Sequence, residues 1–314
     1  MSAGKKRLLS IVLAPVVVIA AMALAAGCGG AEDPETASYV KAVEEWRAER
    51  VERLTRPDGW LSLAGLYWLE EGSNSFGSDP SNDVVLPEGK TPARMGSLVL
   101  NDGAIRMVLD AGVDVTSDGQ VVGSMDIRHD GDEEHGPTLL THGSITWYAI
   151  KRGDRIGIRV KDSESRGLTE FAGIESYAVD PRMRIEGVFE PLGPDHTIEI
   201  TNAVGVVSQE RSPGVLVFEV AGETHRLAPI AYDDESDFFV VFGDRTSGRE
   251  TYGGGRFLAV ERPGDDGKVV IDFNKAYNPP CAFTKYATCP LPPEQNVLAV
   301  QIRAGEKTYK KPGH

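Results

Sequence analysis

The densest set of chemistry-capable side chains lies between Asp272 and Pro293, DFNKAYNPPCAFTKYATCPLPP, where two cysteines, five prolines, four aromatics, two asparagines and one aspartate occupy 22 residues. No regular helix or strand requires that composition, so a fixed irregular segment is expected. A residue before proline is driven to extended backbone and proline donates no amide, so Pro279-Pro280 aims Asn278 and Cys281 rigidly. Asp272, Asn274, Tyr277 and Asn278 are then candidates to contact a polar ligand or assist acid-base chemistry. A second segment, Asp244 to Phe257 (DRTSGRETYGGGRF), carries Glu250, Tyr252 and Arg256, with glycines that let backbone approach a ligand closely. If strand Val269–Asp272 pairs with Arg256–Glu261, Arg256 and Asp272 face each other across the ladder. The leading reading is a binding pocket formed by 250–256 and 272–289, in which Arg256 takes the ligand's negative group while Tyr252, Asp272, Asn274, Tyr277 and Asn278 set orientation. A hydrolase with Asp272 or Glu250 as general base and Arg256 stabilising charge is the competing enzyme reading. Against both stands a buried plug whose Asp and Asn side chains satisfy loop amides, as in a structural envelope protein with no small ligand.

Familiar catalytic signatures are missing: the chain has no G-x-S-x-G, C-x-x-C, H-E-x-x-H, Walker loop or G-x-G-x-x-G. His129, His135 and His142 flank an acidic run from Asp130 to Glu134, but their spacing fits no ligand template and glycine is misplaced for a calcium loop. A solvated hairpin tip is the expected state there, and the same holds for Asp233, Asp234, Glu235 and Asp237. No metal or cofactor is expected.

These candidates need a scaffold, and the hydropathy pattern supplies one. From Thr36 to Thr55 the apolar residues Val40, Val43, Trp46, Val51 and Leu54 recur at helical spacing, Thr36 or Ser38 can cap, and Pro57 stops the run. The intervening Glu and Arg residues read as a solvated charge ladder. After Gly59 the period changes to short strands punctuated by glycine. Hairpins are expected at 97–109 around Asp102-Gly103, at 113–127 around Ser117–Gln120, and at 145–160 around Arg152–Asp154. Further strands are expected at 184–189, 197–201, 215–220, 224–229, 238–242, 256–261, 269–272 and 297–302. No second long helical period follows residue 55, which excludes a sheet with crossover helices. The fold class is therefore mainly β, an antiparallel sandwich or barrel-like body with one N-terminal amphipathic helix. It is read as one domain over 36–308, or two packed halves meeting near 191–194.

The N-terminus sets the expected location. Lys5, Lys6 and Arg7 precede an apolar run from Leu8 to Ala26, and residues 1–27 read as an export signal. Leu24-Ala25-Ala26-Gly27-Cys28 resembles a bacterial lipobox, which implies cleavage before Cys28, lipidation of its sulfur (diacylglycerol and a palmitate-type acyl chain) and a short tether over 28–35. The chain would then sit on the outer face of the cell membrane or on the outer membrane, with the membrane as its partner. A single transmembrane anchor is the alternative, and Pro15 interrupts the run. Without residues 1–27 the chain carries 30 basic and 47 acidic residues, a net charge of -17, and nucleic acid is not an expected partner. Cys281 and Cys289 remain in an oxidising compartment, where a disulfide between them is the expected state and a pair of buried thiols the alternative.

The chain resembles the bacterial and archaeal domain-of-unknown-function family 1684 at DFNKAYNPPCAF, ATCPLPPEQN, TSGRETYGGGRF and RPDGWLSLAGLYWLEEGSNSFGSDPSNDVVLP, over about Thr36 to Glu306. The resemblance implies no assigned activity, and the inclusion of members without export signals weakens an obligatory Cys281–Cys289 bond. Gly72 to Pro87 also resembles the opening of forkhead-associated domains, which are β-sandwiches, through Phe76-Gly77-Ser78 and Asn82-Asp83-Val84-Val85-Leu86. Ser78 occupies the phosphate-binding arginine position, and Thr91-Pro92-Ala93-Arg94-Met95 replaces the serine-arginine-x-histidine segment. The likeness therefore implies a sandwich without phosphothreonine binding.

Overall fold

The computed structural model describes Met1, residues 33–233 and residues 236–310. The export segment apart from Met1, Cys28, the tether up to residue 32, and Asp234 and Glu235 lie outside the described residues. Helix α1 (Pro34–Leu54) begins two residues before Thr36 because Asp33 caps it, accepting from the Thr36 amide at 3.3 Å, and Pro34 fills the first turn, where its missing amide costs nothing. Val43, Arg50 and Leu54 form its buried line. No helix among the described residues is long and apolar enough to cross a membrane.

Residues 63–162 form a two-sheet sandwich, as the alternating pattern requires. One sheet has six strands in the order Leu63–Trp68, Arg155–Asp162, Ile145–Arg152, Leu140–His142, Val115–Ser117, Gln120–Val122. The other has five, in the order Val84–Val85, Gly72–Gly77, Gly96–Asn101, Ala104–Leu109, Met125–Ile127. Phe76, Met95, Leu98, Met107, Leu140, Trp147 and Ile158 fill the space between them. The Asp102-Gly103 turn forms as expected, with positive φ at both residues (47° and 84°), the backbone that a tight hairpin needs. The expected strand from 121 to 127 is in fact two. Gln120–Val122 pairs within the six-stranded sheet and Met125–Ile127 within the other, so the chain crosses between sheets at Gly123-Ser124.

The remainder is a second β unit. A four-stranded antiparallel sheet runs Glu223–Leu227, Gly214–Val220, Arg184–Pro191, Lys268–Asp272, flanked by the hairpins Thr197–Thr201/Val207–Arg211 and Phe238–Phe242/Arg256–Val260. Pro191 belongs to a strand paired on both sides, so 191–194 does not divide the sheets; strand pairing changes hands between 163 and 183. Residues 297–302 form no ladder; Val297 bridges Gly243, Leu298 donates to the Gly243 carbonyl and Val300 accepts from the Arg245 amide.

Gly305 shows how tightly the irregular C-terminal segment is seated. Its φ is +76°, and a Cβ there would run into the carbonyl oxygens of Ala276 and Phe273, whereas Gly103 at φ +84° faces open space. Both substitutions to Ala carry the left-handed backbone cost of about 1 kcal/mol. Gly305→Ala adds a backbone clash and should cost about 2–4 kcal/mol in total. Urea unfolding midpoints of the two variants check this, and equal losses would mean the Gly305 contact yields without strain.

Candidate functional site

The segment from Asp272 to Cys289 is built as a plug. Asp272 closes its strand opposite Arg184, not Arg256, because Lys268–Asp272 pairs with Arg184–Val188. Its Oδ1 accepts from the Tyr39 hydroxyl at 2.8 Å and the Asn274 amide at 3.1 Å. Burial, then the bond to Asp272, pushes the Tyr39 phenol well above its ordinary range. Asn274 is fully buried; its Oδ1 accepts from the Asp180 amide and its Nδ2 donates to Tyr39 and to the Asp180 carbonyl. Asn278 is equally buried: its amide donates to Glu306 Oε2 at 2.7 Å, its Nδ2 donates to the Lys307 carbonyl, and its own carbonyl accepts from Arg50. Burial pushes the Glu306 carboxyl above its ordinary value, with Arg50 acting in the opposite sense.

Arg256 lies in a different network. It is 1% exposed, and its guanidinium meets Asp244 Oδ1 at 3.3 Å and donates to the carbonyls of Ile302 and Ala304. Asp244 also accepts from the Thr246 hydroxyl at 2.9 Å and the Ile302 amide at 2.7 Å, and Thr246 meets Thr251 at 2.8 Å. The loop that looked free to approach a ligand is thus folded on Asp244. Glu250 is tied to Arg303 at 2.9 Å and accepts from Tyr177 at 3.0 Å, and these partners, Arg303 first, hold its carboxyl below the usual range. Tyr252 is half-buried, its phenol raised chiefly by burial. Cys281 and Cys289 are unbonded thiols, in place of the expected disulfide, and each backbone amide donates to the other's sulfur, at 3.2 and 3.3 Å. The acidic loop histidines make local contacts: His129 Nδ1 accepts from the Gly131 amide and His142 Nδ1 meets the Asp114 carbonyl.

Of the expected binding residues, Tyr277 lines an open cleft. This cleft, of about 540 Å³, lies where the C-terminal half of α1 and the following loop meet the six-stranded sheet. Trp46, Trp60, Tyr148 and Tyr277 wall it, and Arg50, Arg53, Arg56 and Lys161 supply positive charge against Asp58. Arg50 is buried, stacks over Tyr277 at 4.9 Å and lies 3.5 Å from Glu306. Arg56 is held in a fork by both Asp58 oxygens, at 2.9 and 3.1 Å. Lys161 differs from these: its ammonium donates to the Asp58 carbonyl at 2.6 Å, lies 5.7 Å from the Tyr148 ring, and has no carboxylate within ion-pair distance among the described residues. Burial draws its pKa below the ordinary lysine value.

Sequence reasoning missed these residues because Arg50 and Arg53 read as a surface charge ladder and Lys161 lies just past the strand expected to end at residue 160. The available signal was Trp46, Arg50 and Arg53 at i, i+4 and i+7, one helical face, followed by Arg56 and Trp60. The two sets of residues should separate in mutagenesis. Arg256→Ala strips the partner from buried Asp244 and should cost about 3–5 kcal/mol, while exposed Arg53→Ala should stay within about 0.5 kcal/mol. Chemical denaturation resolves a gap of that size.

The family model described as "Protein of unknown function (DUF1684)" matches residues 169–307, the second β unit with the plug and the Asp244 network. An uncharacterized protein of Haloarcula marismortui, known from a solution NMR structure, is 31% identical, with the alignment covering 46% of this chain and 80% of that one at a TM-score of 0.38. No curated protein matches the chain. The chain belongs to the family of proteins of unknown function DUF1684.

Proposed function

We propose that the chain is an exported, lipid-anchored binding module that holds a small anionic ligand with a flat or apolar face in the cleft between α1 and the six-stranded sheet. The observation that carries this reading is Lys161, a half-buried ammonium without a carboxylate partner among the described residues, set among four aromatic side chains. In a chain of net charge -14, that local cationic set is an exception to the surrounding field. Tryptophan and tyrosine faces favour a planar or apolar group, and a charge-assisted bond from Lys161 to an anion would contribute about 1.5–3 kcal/mol. Arg53 and Arg56 lie near the mouth and would attract the anion before it is seated.

Lipidation at Cys28 would place α1 with its N-terminus toward the membrane. The rise from Pro34 to Arg50 is about 24 Å at 1.5 Å per residue, so the cleft would stand clear of the lipid headgroups. Replacement Cys28→Ser should move the chain from the membrane to the soluble fraction. Retention on the membrane would support the transmembrane alternative.

Calorimetry on the detergent-solubilised full chain, with phenyl phosphate and inorganic phosphate as probes, tests the cleft. Phenyl phosphate should bind more tightly than inorganic phosphate, Lys161→Met should weaken both by about tenfold or more, and Trp60→Ala should weaken phenyl phosphate selectively. Because the Lys161 pKa is lowered, the ammonium is lost at a lower pH than for an exposed lysine. Anion affinity should therefore fall as pH rises toward the alkaline range, and Lys161→Met should flatten that fall. Binding unchanged in Lys161→Met would sink the assignment.

A further inference from the structure

We propose that Cys281 and Cys289 form a thiol–disulfide exchange site in which Cys281 attacks a small-molecule disulfide and Cys289 resolves the resulting adduct. The assignment stands on its own geometry and is independent of the anion cleft. The two residues are eight apart, and reciprocal amide-to-sulfur bonds of 3.2 and 3.3 Å hold each sulfur against the other's backbone. They differ in access: Cys289 is buried at 6% exposure, while Cys281 is partly open to solvent. A small disulfide therefore meets Cys281 first.

The charge around the pair favours the same order. Arg159 is 3% exposed and forms no ion pair with a carboxylate among the described residues; its Nη2 donates to Thr288 Oγ1 at 3.2 Å, and its Nε has no hydrogen-bond partner there. Arg152 also donates to Thr288 Oγ1, at 3.1 Å, but its charge is met by Asp130 at 2.8 Å. A buried guanidinium without a counter-charge is costly. The Cys281 sulfur is already in its field and can become negative. The Cys281 thiol is drawn below its ordinary value, chiefly by the hydrogen bond from the Cys289 thiol, with the Cys289 amide and Arg159 adding to it. The Cys289 thiol moves up, through the same bond and through burial. The thiolate is the nucleophile in exchange, so the asymmetry separates the attacking sulfur from the resolving one.

In the first step the Cys281 thiolate attacks one sulfur of a small disulfide R–S–S–R, forming Cys281–S–S–R and expelling RS⁻, which takes a proton from water. In the second, Cys289 loses its proton and attacks the Cys281 sulfur, expelling the second RS⁻. Two protein thiols are oxidised to one disulfide and R–S–S–R is reduced to two R–SH.

The test treats the detergent-solubilised full chain with oxidised glutathione and maps the products by peptide mass spectrometry, which keeps Cys28 apart from the pair. The native chain should form a Cys281–Cys289 disulfide. Cys289→Ser should accumulate a stable glutathione adduct on Cys281, and Cys281→Ser should modify Cys289 at least tenfold more slowly. Arg159→Gln, where circular dichroism shows it folded, should slow adduct formation at neutral pH and shift the pH midpoint of Cys281 alkylation upward; an unmoved midpoint overturns the role of Arg159. Equal rates at the two cysteines, or no adduct in folded Cys289→Ser, overturn the exchange site itself.

Discussion

The buried pair Arg256–Asp244 holds the second half of the molecule in register. Two opposite charges sit at 1% and 0% side-chain exposure, 3.3 Å apart, and each is used beyond the pair. Arg256 reaches the carbonyls of Ile302 and Ala304, and Asp244 collects Thr246 and the Ile302 amide. Burying these ions costs several kcal/mol apiece, offset by the carbonyls, hydroxyl and amide they meet, with Arg256 Nε left without a hydrogen-bond partner among the described residues. The hairpin Phe238–Phe242/Arg256–Val260 and the distant strandless run through Ile302 must therefore arrive together. Backbone at Gly243 and Arg245 bonds the run at Asn296, Leu298 and Val300, and the carboxylate takes the Ile302 amide beyond it.

A second set of buried polar bonds continues from there into the helix. Glu306 follows Ala304 closely in sequence, accepts from the Asn278 amide, and lies beside Arg50 of α1. Arg50 in turn caps the Asn278 carbonyl and stacks on Tyr277, which forms a wall of the cationic cleft. The plug and the cleft are thus two faces of one structure. The inner face turns its polar groups largely to partners within the chain, while the outer face leaves Lys161 and the aromatic rings open to the cleft. A ligand that entered would meet side chains whose positions are already fixed from behind, which limits the ordering cost of binding.

Much of the fold was legible locally. The Asp-Gly turns need positive φ, and the alternation at Ile156, Ile158 and Val160 needs one buried face, so those hairpins follow from neighbouring residues alone. Pairing between strands far apart in sequence was not legible in the same way. Lys268–Asp272 suits Arg256–Val260 and Arg184–Val188 equally by hydropathy, and only the packing of the whole sheet selects the second. Gly123-Ser124 likewise looked like part of one strand, because a crossing between two sheets leaves apolar residues on both sides of it. Val207–Arg211, mostly exposed, lacked the alternation that marks a half-buried strand.

The sequence by itself determined that Asp272, Asn274, Asn278, Arg256 and the proline-framed cysteines form something fixed, since their types and spacing demand hydrogen-bonded, irregular backbone. It also determined the single long helix and the antiparallel β body. Tertiary structure decided what those polar groups face. A buried Asp or Asn and a ligand-binding one are the same residue in sequence, and they differ only in whether groups from elsewhere in the chain fill their hydrogen bonds, as the Tyr39 hydroxyl and the Asp180 and Lys307 carbonyls do here. The same holds in reverse for Arg53, which read as a solvated charge along a helix, and for Arg56 and Lys161, which carried no local signal: they became the rim and floor of a cleft because the helix lies against the sheet.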